Sequence, residues 1–519
     1  MSHDIIIVLD FGSQYTQLIT RVIRDQSVYS IQLAWNCDPD QVMDYNPKGI
    51  ILSGGPASIY SPDSPTIPDY LLTLKIPILG ICYGMQALTA RLNGNVTASS
   101  SREYGLSLLT VTSKNQLIPE GQHKVWMSHG DRIETLPDGF RTLAITDNTP
   151  IAAMCDPIRQ YYGVQFHPEV KHTAIGPEII KNFLFQICKI TPSWTPESII
   201  KLSIDKIKET IGSGRVIAAV SGGVDSTVAA TLVHKAVGDQ LDAVFVDTGL
   251  LRKNEKDQVV ELINKSLQIK LHTVEASKVF FDDLRGVKDP EQKRAIIGNR
   301  FIRLFEEQAR ALGNPDYLVQ GTIYPDVVES AAPDREESET IKTHHNVGGL
   351  PQDMKFSLIE PLRYLFKDEV RVIGEAIGIH KSLLWRQPFP GPGLAIRCIG
   401  EVTPDRIKVL QEADEIFREE LFLANQQLSQ EDYLKSVTSQ AFAVLLPVKT
   451  VGVMGDQRTY QNVIALRSVT TDDFMTADWS RLPMELLAKV SNRIVNEVPG
   501  INRVVYDITS KPPGTIEWE

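Results

Sequence analysis

The sequence predicts an α/β protein: two doubly wound, mostly parallel sheet domains, then a C-terminal α+β portion. Three observations carry that expectation. From residue 5 to about 190, and again from 216 onward, short apolar runs end in glycine-bearing turns and alternate with helical patterns, as βα units do. At 519 residues the chain is too long for one core, so about three domains are expected. Beyond residue 400 a charged helical stretch gives way to β-rich runs, Ala441–Leu446 and Val463–Leu466.

Bulk properties exclude several classes. A composition of 42% hydrophobic and 23% charged residues is that of an ordinary globular protein. The net charge of −11 argues against a broad nucleic-acid-binding face, which needs a basic excess. Five scattered cysteines, Cys37, Cys82, Cys155, Cys188 and Cys398, suit a reducing cytoplasm better than a disulfide framework. No leader-like start and no run of 18 apolar residues appear, so a cytoplasmic protein without membrane spans is expected.

In the first segment, Ile5–Leu9 reads as a buried strand ending in Asp10-Phe11-Gly12. This Asp-Phe-Gly is a strand-to-helix turn, because neither a Gly-rich loop nor an H-R-D segment accompanies it. Gly49–Leu52 is a second strand, running into Ser53-Gly54-Gly55-Pro56. Pro77–Ile81 then leads into Gly80-Ile81-Cys82-Tyr83-Gly84, whose G-x-C-x-G shape is a cysteine form of the nucleophile elbow. A thiolate there is stabilised by the helix N-terminus. An oxyanion formed by its attack needs N–H donors; Tyr83 supplies one and the Gly54-Gly55 turn, through Gly55, the other. A base is offered by Gln165-Phe166-His167-Pro168-Glu169. His167 and Glu169 lie two apart, so in extended backbone both side chains share a side, which gives a Cys82–His167–Glu169 triad.

Ile190–Pro196, with two prolines, reads as a linker. Thr195 N-caps the next helix, with Pro196 at its first position, Ile200, Ile204, Ile207 and Ile211 at helical spacing, and Gly212 ending it. Val216–Val220 is a strand that runs into Ser221-Gly222-Gly223-Val224-Asp225-Ser226 and a helix from Thr227. Backbone N–H groups between glycines, the hydroxyls of Ser221, Ser226 and Thr227, and a helix dipole build an anion cradle. The lysine-bearing Walker pattern is missing. Leu241–Val246 ends in Asp247-Thr248-Gly249, which either flanks a nucleotide base or ribose or is a plain turn. Gln320-Gly321-Thr322 repeats the strand-end pattern. The polar stretch 333–349, with His344-His345, reads as a lid or a disordered segment, and a role in gripping a phosphate or nucleotide fits it better than a metal site. Lys367, opening an amphipathic helix, is either a phosphate contact or part of a solvated charge run. Pro388–Gly393 marks another boundary. The two prolines, lysine and tryptophan of 511–519 argue against a floppy tail.

The first segment resembles class I glutamine amidotransferases at the Gly-Gly-Pro turn, the cysteine elbow and the His-Pro-Glu string. S-G-G-V-D-S resembles the loop of enzymes that split ATP between its α and β phosphates. Together with Q-G-T-I-Y-P-D at 320–326, H-H-N-V-G-G at 344–349 and K-P-P-G-T-I-E-W-E at 511–519, the whole chain resembles the glutamine-hydrolysing GMP synthase family. That resemblance implies a flavodoxin-like glutaminase over 1–190, an adenine-nucleotide-hydrolase-like ATP pyrophosphatase over 194–395, and an α+β dimerisation and substrate-binding domain over 396–519. It implies glutamine, ATP and xanthosine 5′-monophosphate (XMP) as substrates and a homodimer formed through the last domain. It places ATP on residues 221–227, Asp247, Gly321 and Lys367, and magnesium on Asp225 with the ATP. It places XMP on Arg294, Lys511 and Glu517, and implies no tightly bound organic cofactor. Other amidating ligases pair such an ATP loop with different glutaminases. A tRNA-modifying protein is disfavoured by the acidic balance and the missing Cys-x-x-Cys pairs. A non-catalytic binding protein is disfavoured by the intact Cys82, His167 and Glu169.

Overall fold

The computed structural model describes residues 3–61, 63–330, 356–427, 438–454, 457–471, 474 and 476–519; the stretch 333–349 lies outside the described residues. The chain divides into two compact units, Met1–Ile199 and Ile200–Glu519. No helix among the described residues is long and apolar enough to cross a membrane, and all five cysteines are free thiols.

The first unit runs β1 (Ile5–Asp10), α1 (Thr16–Asp25), β2 (Tyr29–Ala34), α2 (Pro39–Asp44), β3 (Gly49–Leu52), α3 (Asp69–Thr73), β4 (Ile78–Ile81), α4 (Tyr83–Arg91), β5 (Asn95–Val111), β6 (Gln122–Thr135), β7 (Arg141–Ile145), β8 (Ala153–Asp156), β9 (Tyr161–Val164) and α5 (Gly176–Asn182). Its nine-stranded sheet has the order β2-β1-β3-β4-β9-β8-β7-β5-β6. The first five strands are parallel, in the 2-1-3-4-5 order of a flavodoxin-like sheet. The other four extend it by antiparallel pairing, an extension the βα alternation of the sequence does not announce.

Residue alternation along the parallel strands explains why both faces are covered. Ile6, Val8, Leu79 and Ile81 pack with Ile19 and Ile23 of α1 and Ile179 and Ile180 of α5. Ile7, Leu9, Ile50, Leu52 and Ile78 point the other way, onto Val42 of α2, Leu71 of α3 and Leu88 of α4.

Helix α6 (Pro196–Ile211) carries the chain from the first unit into the second and leads through Gly212, at a φ of +54°, into β10 (Val216–Ala219). There follow α7 (Val224–Val237), β11 (Leu241–Asp247), α8 (Glu255–Glu261), β12 (Leu271–Glu275), α9 (Ser277–Asp283), α10 (Pro290–Ala311), β13 (Tyr317–Val319), α11 (Tyr324–Ser330), β14 (Ser357–Ile359), α12 (Lys367–Ala376) and α13 (Lys381–Leu384). The five strands form an all-parallel sheet in the order β12-β11-β10-β13-β14. This is a doubly wound 3-2-1-4-5 order, with its switch point between β10 and β13. Then come α14 (Pro404–Gln427), β15 (Gln440–Met454), β16 (Gln457–Thr470), β17 (Asp478–Trp479), α15 (Met484–Glu497) and β18 (Ile501–Asp507). In this last sheet β16 pairs antiparallel with β15 and β17, and parallel with β18. Ile217 and Val244 of the parallel sheet share one apolar cluster with Leu410 and Phe417 of α14, Ala443 of β15, Ile464 of β16 and Val490 of α15.

Candidate active site

Strand β4 and its parallel neighbour β9 end side by side, with Ile81 in register with Val164. Immediately beyond them stand Cys82 and His167. Cys82 has φ +49° and ψ −106°, a conformation L side chains avoid, held by its N–H on Val164 O at 2.8 Å. The flanking glycines make that turn possible. A Cβ on Gly80 would lie 2.6 Å from Met85 N, and one on Gly84 2.5 Å from Leu52 O. Helix α4 begins at the next residue and directs its N-terminus at the sulfur.

His167, Glu169 and Cys82 are all buried. His167 Nδ1 lies 2.7 Å from Glu169 Oε1, which leaves the other ring nitrogen to the thiol. Burial disfavours the imidazolium, but hydrogen bonding to Cys82 and Glu169 and their negative charges outweigh it, so the His167 pKa is raised. The Tyr15 ring meets the imidazole edge-on at 5.4 Å between centroids. Gly54 lines the gap between the two side chains: a Cβ there would sit 3.1 Å from His167 Cε1 and 3.8 Å from Cys82 Cβ. The N–H groups of Gly55 and Tyr83 find no acceptor among the described residues. Gly55 is also required by space, since a Cβ would fall 2.6 Å from Phe11 O.

Sequence reasoning missed the polar groups around the sulfur. Gln165 Nε2 and Ser128 O each lie 3.7 Å from Cys82 Sγ. Gln86 donates to Gln165 Oε1 at 3.3 Å and to Asp131 O at 3.0 Å. Two of these were findable by spacing. Gln86 is one helical turn past Cys82, and Gln165 is two residues before His167 on the same extended face.

In the second unit the cradle forms at the switch point between β10 and β13. Helix α7 starts at Val224, three residues earlier than the apolar pattern implies, so Asp225 and Ser226 occupy its first turn. The N–H groups of Val224, Asp225 and Ser226 meet no acceptor among the described residues. Gly222 has φ +76° and a Cβ there would strike Val259. Ser226 Oγ donates to Gly223 O at 3.1 Å and lies 3.3 Å from Ser221 Oγ. Gly321 closes the other side, where a Cβ would lie 3.2 Å from Ser226 N. Helix α12 packs closely on α7 where Gly374 meets Val228, and this brings Lys367, at its N-terminus, into an ion pair with Asp225 Oδ2. Asp225 Oδ1, Thr227 Oγ1 and Thr322 Oγ1 are buried without partners among the described residues. One carboxylate oxygen left open among N–H donors and hydroxyls fits a magnesium ion whose remaining ligands are phosphate oxygens and water.

The remaining expected residues lie apart from this cradle's loop. Asp247 accepts from Gly249 N–H at 2.9 Å through one oxygen, and its other oxygen sits 3.4 Å from Lys256 of α8. Arg294, on α10, bonds Glu519 O. Lys511 donates to Phe474 O at 2.7 Å, and Glu517 is held by Arg397 and Gln440.

Residues 7–187 match the class-I glutamine amidotransferase family, 198–317 the NAD synthase family, and 426–518 the GMP synthase C terminal domain. A glutamine amidotransferase fused to a nucleotide-cradling sheet defines a glutamine-dependent amidoligase. The chain is 56% identical over 522 residues to a GMP synthase (glutamine-hydrolyzing) of Halothermothrix orenii, covering all of both chains. It is 54% identical over 520 residues to one of Heliobacterium modesticaldum, covering 100% of this chain and 99% of the relative. The chain belongs to the glutamine-hydrolysing GMP synthase family.

Proposed function

We propose that the chain converts XMP, ATP and glutamine to GMP, AMP, pyrophosphate and glutamate, with residues 1–190 as glutaminase, 194–395 as ATP pyrophosphatase and 396–519 as dimerisation and XMP-binding domain. The observation that carries the reading is the Cys82 thiol on a strained elbow opposite a His167 that is itself oriented by Glu169. Cys82 attacks the glutamine side-chain carbonyl, and the N–H groups of Gly55 and Tyr83 receive the oxyanion. His167 hands its proton to the departing ammonia, leaving a thioester that water, deprotonated by the same imidazole, hydrolyses to glutamate.

At the second site, ATP phosphates lie on the N–H groups and hydroxyls of residues 221–227, with Gly321 and Lys367 alongside and Asp247 supporting the neighbouring turn. Asp225 would hold magnesium, which offsets phosphate charge when bound. The XMP carbonyl oxygen attacks the α-phosphorus and expels pyrophosphate, and ammonia then displaces AMP. XMP is assigned to the neighbourhood of Arg294, Lys511 and Glu517. Dimerisation through the last domain is supported by Val451 and Tyr460, paired across β15 and β16 and both exposed. The enzyme is assigned to the cytoplasm. The test is incubation with XMP, ATP, magnesium and glutamine, with products separated by chromatography. GMP and AMP are expected; ADP, or unchanged XMP, refutes the reading.

A further inference from the structure

A buried amide stands against the sulfur, and its direction is dictated by a carbonyl two links away. Gln165 is fully buried, with its Nε2 3.7 Å from Cys82 Sγ. An amide is a donor at one end and an acceptor at the other, so its neighbours decide which end meets the sulfur. Asp131 O can only accept, and Gln86 Nε2 lies 3.0 Å from it. That fixes the Gln86 amide, whose second N–H then reaches Gln165 Oε1 at 3.3 Å. With its oxygen engaged by Gln86, Gln165 turns its NH2 group to the sulfur. Main chain holds both members of this relay: Gln165 N–H donates to Ala152 O at 2.9 Å and Gln86 N–H to Cys82 O at 3.2 Å.

The sulfur thus has two polar neighbours besides His167, and they are of opposite kind. Ser128 O, also 3.7 Å away, is an acceptor and suits a thiol, which donates. The Gln165 N–H suits a thiolate, which accepts. His167 decides between them, because its raised pKa keeps the proton on the imidazole and leaves the charge on sulfur. The carboxylates of this neighbourhood have other partners. Glu169 is bonded to His167 Nδ1 and Asp131 to Ser58 Oγ, each at 2.7 Å. Glu103, with His129 beside it, takes the Thr146 and Thr149 hydroxyls.

We propose that Gln165 is a catalytic residue of the glutaminase reaction, donating its side-chain N–H to the Cys82 thiolate. This rests on the reading above that Cys82 is the nucleophile. The N–H acts at two moments. Before attack it holds the charged sulfur beside the imidazolium, as a charge-assisted hydrogen bond does. In thioester hydrolysis the water oxygen bonds the carbonyl carbon and its proton passes to His167. The C–S bond then breaks with its electron pair left on sulfur, and the same N–H receives that charge.

The test uses the full chain and two variants. Gln165→Met keeps the length and loses the donor; Gln165→Glu keeps an oxygen for Gln86 and sets a carboxylate oxygen toward the sulfur. Alkylation of Cys82 by iodoacetamide is followed across pH by mass spectrometry of its peptide. The midpoint is expected about one pH unit higher in Gln165→Met, tenfold in proton concentration and the scale of one hydrogen bond to a charge. It should lie higher still in Gln165→Glu. The acid limb of kcat/KM for glutamine should move with it, while ammonium-dependent synthesis stays near wild type. If neither the midpoint nor the acid limb moves, the proposal fails; a fall in kcat/KM at every pH then means that the amide serves the substrate and not the sulfur. Equal loss of glutamine- and ammonium-dependent synthesis reduces Gln165 to a staple of the fold and also overturns it. A Cys82→Ala chain that still makes GMP from glutamine sinks the functional reading instead.

Discussion

Replacing Gly84 by alanine adds one methyl group at the most crowded point of the cysteine elbow. That carbon would lie 2.5 Å from Leu52 O, 2.7 Å from Leu52 Cβ and 2.8 Å from Leu52 C. Ordinary contact begins near 3.4 Å, so the start of α4 must draw back from β3 by most of an ångström. The neighbour is central-strand backbone and cannot swing aside. Overpacking of this kind costs about 2 kcal/mol, or about 4–8 °C in the melting of a unit this size. The larger effect falls on chemistry, because Cys82 is two residues upstream and moves with the helix. A misplacement of about 1 Å costs on the order of 100-fold in rate. One preparation should be given either glutamine or ammonium as nitrogen donor, with GMP followed by chromatography. We expect glutamine-dependent synthesis to fall on the order of 100-fold while ammonium-dependent synthesis stays near wild type. A glutamine-dependent rate within threefold of wild type would refute the claim that elbow geometry limits the first step. Equal loss of both rates would refute its confinement to the first unit.

Other outcomes follow from the same geometry. Cys82→Ala should abolish glutamine-supported synthesis and spare ammonium-supported synthesis; loss of both would make the cysteine structural. Asp225→Ala should suppress XMP-dependent pyrophosphate release, and unchanged release would remove the cradle from the chemistry. Glu103 is buried near the first site. Burial alone would raise its pKa, but His129 at 3.7 Å and the Thr149 and Thr146 hydroxyls at 2.6 and 3.0 Å more than offset this and bring it down to about 2. A depressed carboxylate stabilises the fold fully above its unfolded pKa, near 4.5, and loses that contribution as pH falls toward 2. The contribution is about 3 kcal/mol. The stability gap between wild type and Glu103→Gln, measured by urea unfolding, should therefore narrow from pH 6 to pH 3, and a constant gap would rule the carboxylate out as its source.

The two doubly wound sheets could be read from the chain because their strands are continuous apolar runs ending in glycine turns, Ile5–Leu9 and Val216–Val220 among them. The antiparallel extension was harder. Strand β5 leaves Tyr104, Leu106 and Leu108 exposed, so its pattern does not separate inside from outside. The helix after the cradle begins at Val224 because the glycine turn ends there, whereas apolar periodicity registers only from Thr227 onward. At the candidate site, local strings brought out Cys82, His167 and Glu169. Ser128 and the Lys367–Asp225 pair needed the fold, since each meets its partner across 46 residues or more along the chain. The carboxylate at position 517 was placed by resemblance alone; that Arg397 and Gln440 donate to it needed the fold.

The ladder that joins β4 to β9 has a further bearing. The sulfur and the imidazole leave two rods bonded rung by rung, Ile78 to Tyr161 through Ile81 to Val164, and both apolar clusters beneath them are drawn wholly from residues before 191. Their spacing is thus inherited from main-chain geometry and shielded from drift in outlying loops. A segment so self-sufficient is expected to keep the spacing of that sulfur and imidazole when made as a free-standing chain.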